Sequence, residues 1–134
     1  MFKLFTPTIK NMNTINEISQ RAHEHAKKFG FYDTPRNTGE TLCLIHSEVS
    51  EALECDRKGK YALAGNVDMV EQYQGDFFRA SFESSVKDTF QDELADIMIR
   101  VMDLAASKSI DLEKHILLKM RYNSMREYKH GKNY

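Results

Sequence analysis

Long apolar runs, a cysteine framework and a charge imbalance are all missing from this chain, and each absence closes off a class of function. No stretch of the 134 residues approaches the roughly 20 apolar residues that a membrane span requires. The opening MFKLF lacks the apolar stretch and small-residue cleavage site of a signal peptide. Nineteen basic and twenty acidic residues leave a formal net charge of -1, which gives no electrostatic case for nucleic acid or an anionic membrane as the main partner. The two cysteines, Cys43 and Cys55, fall within one expected helix, too far apart to bridge and at no metal or redox spacing. Reduced thiols in a cytoplasm are the simplest expectation. Neither an internal repeat nor a low-complexity tract occurs. What is present is ordinary for a globular chain, with 41% hydrophobic and 29% charged residues. The length suits one domain with a real core, spanning 1–134.

Periodicity and capping signals read as helix nearly throughout. A first helix opens near Asn13 or Thr14, where Glu17 completes a capping box, and closes at Gly30. A loop with Asp33, Pro35, Asn37 and Gly39 leads into a second helix from about Gly39 to Lys58, stopped by Gly59. The signal is poor over 60–83, where Gly65 and Gly75 interrupt it and only 67–73 suits a short helix. A third main helix is expected from Ser84 or Ser85 to about Ser107. A fourth follows, from the cap Asp111 to about Tyr128. Four helices with short connections and one insert give an all-α, compact antiparallel four-helix bundle as the expected architecture.

Two acidic pairs stand out against this framework. At roughly 100° per residue, Leu42, Ile45, Val49, Ala52 and Leu53 form the apolar stripe of the second helix, and Ser47, Ser50, Glu54 and Arg57 lie opposite. Glu48 and Glu51 belong to neither set and flank the stripe. On the third main helix the stripe is Val86, Phe90, Leu94, Ile97, Val101 and Leu104. Glu93 sits at its edge, with Asp96 one step further round. A carboxylate withdrawn from water costs several kcal/mol unless it is paired, protonated or metal-bound. Asp88, Asp92 and Asp96 add repulsion at i, i+4; Arg100 can offset Asp96, but no base on their own helix does so for Glu48 or Glu51. E-x-x-E pairs are common on solvated helices. Two such pairs at a core border, on helices packed side by side, would assemble a hard-oxygen site suited to Mg²⁺ or Mn²⁺.

The final helix adds Lys119, Asn123 and Arg126, spaced to share a face with Ile116 and to present two cations and an amide to phosphate or base. Lysine and arginine on a terminal helix are more often simply solvated. Lys129, His130 and Lys132 would extend the same patch. His23 and His25 point to different sides and make a poor metal pair. His46, at the stripe's border, suits packing better than base stacking. Phe77, Phe78 and Phe82 suit either the wall of a base pocket or anchors for the insert, more often the latter.

These residues resemble a family pattern. PRNTGETLCLIHSEVSEALE from Pro35 to Glu54, DELADIMIRVMDLA from Asp92 to Ala105 and K-x-x-x-N-x-x-R from Lys119 to Arg126 resemble the MazG-like all-α nucleoside triphosphate pyrophosphohydrolases over roughly two thirds of the chain. The family carries E-E-x-x-E on one helix and E-x-x-D on the next. Ser47 replaces the first Glu, Glu48 and Glu51 match the rest, and Glu93 and Asp96 match the second motif. The insert at 60–83 has no aligned counterpart. The resemblance implies Mg²⁺, or Mn²⁺, held by Glu48, Glu51, Glu93 and Asp96. It implies Glu48 or Glu51 as the group that orients or deprotonates water, and Lys119, Asn123 and Arg126 as substrate contacts. The implied reaction turns a nucleoside triphosphate into monophosphate and pyrophosphate in a homodimer or homotetramer. Ile99, Met102 and Ala106, off the main stripe, suit a covering subunit.

Two rivals come from other classes. One is a helical oligomeric assembly or binding module whose acids hold a structural cation without turnover, a reading that Ser47 favours. The other is a di-iron or di-manganese carboxylate bundle, which needs E-x-x-H on each of two helices, a requirement the sequence does not meet; Glu113 and His115 are only two apart.

Overall fold

The structure is a computed structural model that describes residues 14–131. The MFKLF start, the alternative opening at Asn13, Lys132 and the side chain of His130 lie outside the described residues. Among these residues the chain is all-helical, without a strand, in six α-helices. They are α1 (Ile15–Lys28), α2 (Thr38–Arg57), α3 (Ala64–Glu71), α4 (Gly75–Ser85), α5 (Phe90–Ser107) and α6 (Leu112–Ser124), followed by a 3₁₀ turn at Tyr128–Gly131. Among the described residues, no helix is long and apolar enough to cross a membrane.

Local chemistry explains most of the boundaries. Thr14 and Glu17 cap α1 reciprocally, each backbone N–H donating to the other's side chain at 3.2 Å. Gly30 ends α1 in the left-handed region at φ 84°, where an added Cβ would also stand 3.0 Å from the Asp33 carboxylate. Asn37 caps α2 by accepting from Gly39 N and Glu40 N. Asp111 caps α6.

The structure corrects the reading of the helices in three places. The weak 60–83 stretch is a pair of packed helices, α3 and α4, and Gly75 opens α4 at φ 58° instead of breaking it. Ser84 and Ser85 end α4; α5 starts at Phe90, after a turn in which Asp88 has φ 58°. Helix α6 ends at Ser124, so Arg126 lies beyond the helix that carries Lys119 and Asn123.

The chain forms two compact units. One comprises the residues up to Asp33 with those from Met102 onward, and the other is Thr34–Val101. In the first, α1 packs on α6, and Asn16 ties the two N-termini together. Its Nδ2 donates to Asp111 Oδ1 at 2.7 Å, and its Oδ1 accepts from Glu113 N at 3.2 Å.

In the second unit, Gln91 fastens the 58–63 connection to α5. Its side-chain amide accepts from Ala62 N at 2.8 Å and donates to Ala62 O at 3.1 Å. The face of α2 that is buried overlaps the apolar stripe only at Ala52. Thr41, Glu48, Ala52 and Cys55 are buried, along a line roughly 90° round the helix from Leu42, Val49 and Leu53, which stay nearly half exposed. Helix α2 therefore turns a partly polar seam inward.

Candidate metal centre

Side chains on α2 and α5 meet along that seam. Carboxylate oxygens of Glu48, Glu51 and Glu93 lie within 4.8 Å of one another. Glu93 is the most enclosed of the three, at 5% exposure, and no donor among the described residues reaches its buried Oε2. Buried polar atoms nearly always have a partner, so an orphan oxygen in an acidic cluster is a position that could hold a cation. Burial, followed by the charges of Glu51, Asp96, Glu48 and Asp92, pushes the Glu93 carboxyl up to about 7.

Glu48 is buried too, but it has a counter-charge: Arg100 Nε donates to its Oε1 at 2.6 Å. Arg100 thus sits on Glu48, where the sequence reading paired it with Asp96. Glu51 is exposed at the edge of the cluster. Asp96 is exposed and lies outside the triad, although it feels the same field. Desolvation and the charges of Asp92, Glu48 and Glu51 raise its carboxyl, and Arg100 opposes them. Ser47, at the position of the family's first Glu, turns its hydroxyl to Leu44 O at 2.7 Å.

The chain matches no family model, no curated protein and no solved structure. The chemistry of this centre therefore rests on its own donor set. Three carboxylates from two helices, one with an oxygen that has no partner among the described residues, could serve as a hard-oxygen cradle for Mg²⁺ or Mn²⁺, with positions left over for water or phosphate oxygens.

The other sequence candidates are placed as follows. Lys119, Asn123 and Arg126 belong to the other unit. Lys119 Nζ lies 4.9 Å from the Tyr122 ring centre, and the Arg126 guanidinium lies 5.9 Å from it. Asn123 Oδ1 is buried without a partner among the described residues. His46 is exposed. Phe77 and Phe78 are exposed and Phe82 is half-buried. His23 and His25 serve separately: His25 packs on Phe29, and His23 Nδ1 pairs with Asp103 Oδ1 at 2.8 Å. The Tyr32 hydroxyl donates to the same Asp103 oxygen at 2.8 Å.

Two features escaped the sequence reading. The first is the Asp103 cluster, whose members lie about 70 and 80 residues apart in the chain, with no local signal to join them. The second is a further approach of acids to Glu93, by Asp88 and Asp92. Their spacing reads locally only as repulsion, and it takes the turn before α5 to reveal the convergence.

Proposed function

We propose that the protein is a divalent-metal-dependent nucleoside triphosphate pyrophosphohydrolase of MazG-like type, with a four-helix-bundle catalytic core, acting as a homodimer or homotetramer. The observation that carries this reading is the buried, unpartnered oxygen of Glu93 beside Glu48 and Glu51. The resemblance of the acidic motifs supplies the reaction class.

Glu48, Glu51 and Glu93 would hold the ion, with Asp96 adding negative field at their border. When bound, Mg²⁺ or Mn²⁺ neutralises phosphate charge and makes a water easier to deprotonate. Arg100 fixes Glu48, so the rotamer of that ligand is set before an ion arrives. Glu51 is exposed, and we assign it the water. It orients the water for attack on the α-phosphorus, takes its proton and lets pyrophosphate depart. Lys119, Asn123 and Arg126 are assigned to the substrate through the motif resemblance.

A second reading, an assembly module with a structural cation, draws on the half-exposed apolar stripe of α2. The two readings separate on products. A panel of standard and modified nucleoside triphosphates with Mg²⁺ or Mn²⁺ should yield monophosphate and pyrophosphate. Diphosphate plus phosphate would make the reaction class wrong, and no turnover across the panel would favour the assembly module.

A further inference from the structure

Glu93 belongs to a second group of acids. Asp88, in the turn before α5, and Asp92, in the first turn of α5, each bring a carboxylate oxygen into a cluster with Glu93 whose atoms all lie within 4.8 Å of one another. Much of the geometry of Asp88 and Asp92 has a structural explanation. Asp92 Oδ2 accepts from Asp88 N at 3.0 Å, and Lys87 Nζ donates to both Asp88 oxygens, at 3.0 and 2.8 Å. Neither contact serves Glu93, whose Oε2 remains buried and without a donor. The two triads are thus alike. In each, one acid has a basic partner, Arg100 for Glu48 and Lys87 for Asp88, while the shared Glu93 has none among the described residues.

A cavity of about 540 Å³ lies against Asp88 and Asp92, with Asp96 and Lys87 also at its wall and Phe82 and Ile99 on its apolar side. It gives a hydrated ion room to keep several waters, as Mg²⁺ does in sites built from few carboxylates.

We propose that Asp88, Asp92 and Glu93 form a second divalent-cation site, sharing Glu93 with the Glu48–Glu51–Glu93 site and opening on this cavity. The two sites would use the single Glu93 carboxylate as a bridge, an arrangement that clamps oxygens on both sides of a phosphoryl centre. The chemistry recognised is a hard divalent cation, Mg²⁺ or Mn²⁺. The vacant coordination positions take water or the oxygens of a phosphate-bearing ligand lodged in the cavity. The inference rests on the pyrophosphohydrolase reading only through the shared Glu93.

Mn²⁺ alone, titrated into the metal-free protein and counted by electron paramagnetic resonance, tests it. The expected result is two ions per chain in the parent, one in D92N or D88N, one in E51Q, and at least tenfold weaker binding of both in E93Q. Asn at position 92 keeps an oxygen for the Asp88 N–H, and Asn tolerates the left-handed backbone of position 88, so either variant should fold. Two ions undiminished in both D88N and D92N would overturn the proposal. One ion in the parent, lost in E51Q but kept in D92N, would also overturn it while leaving the first site standing. One ion lost in D92N but kept in E51Q would uphold the second site and remove the first. No bound ion would remove both.

Discussion

Glu93 concentrates the energetics of the centre in one side chain. Because its carboxyl is raised to about 7 by burial and by neighbouring acids, the folded chain keeps a proton that the unfolded chain has already released above about 4.5. The sign follows: metal-free stability falls as pH climbs through this window and levels off above it. E93Q mimics the protonated group, so in chelator it should flatten that slope. It should stabilise the protein by on the order of 3 kcal/mol at pH 8 and by almost nothing at pH 4, as measured by urea denaturation. Equal slopes in parent and variant would contradict the burial argument. Arg100 has the opposite role. Arg100→Met leaves Glu48 buried without its partner and should cost about 2 kcal/mol in chelator, with saturating Mn²⁺ recovering part of the loss. At this scale the acids were legible in the sequence because polar residues flanking an apolar stripe are improbable without a partner. The partner was not legible, since Arg100 lies 52 residues from Glu48 and two acids compete for it.

Among the elements, caps and glycine stops were readable because they are local. Thr14, Asp111, Gly30 and Gly59 act within a few residues of where they stand. Helix α3 was half readable, as the short helix expected over 67–73, and α4 was not readable. Short amphipathic segments beside glycines give almost no periodic signal, and a glycine at the start of a helix looks the same in sequence as one that breaks it. The inward face of α2 was misjudged for a related reason. A hydrophobic stripe shows which face prefers to leave water, not which neighbouring helix is there to receive it. The fastening of the 58–63 connection to α5 is testable. Gln91→Ala strands the N–H and carbonyl of buried Ala62 and should cost about 1–3 kcal/mol in thermal or urea unfolding, where Gln91→Glu, which keeps the acceptor, should cost less.

For the whole molecule, apolar surface is the unspent feature. Leu42, Val49 and Leu53 on α2 and Leu94 and Met98 on α5 are each nearly half exposed, while the buried hydrophobic set consists mainly of small side chains such as Ala52, Ala62 and Ala105. Of the residues expected beneath a covering subunit, Ile99 is exposed, Ala106 is half-buried and Met102 is already buried within its own chain. Stripes of this kind suit the homo-oligomer proposed above. Light scattering at micromolar concentration should report a dimer or larger. Leu53→Glu, in the middle of the stripe, should shift the protein toward monomer, and a monomeric parent would contradict the assembly.

The central claim, that carboxylates from α2 and α5 make a cation site and not merely an acidic surface, is tested most directly by melting temperature against Mg²⁺ or Mn²⁺ for the parent, E93Q and E54Q. Glu54 lies on the same helix as Glu48 and Glu51 but pairs with Lys58 at the surface. A bound ion at a hundredfold excess over its dissociation constant stabilises the fold by about 2.7 kcal/mol. The parent and E54Q should therefore rise together by several degrees, while E93Q, already more stable in chelator, should barely respond. Equal responses from E93Q and E54Q would show the cluster to be ordinary surface charge and the assignment wrong.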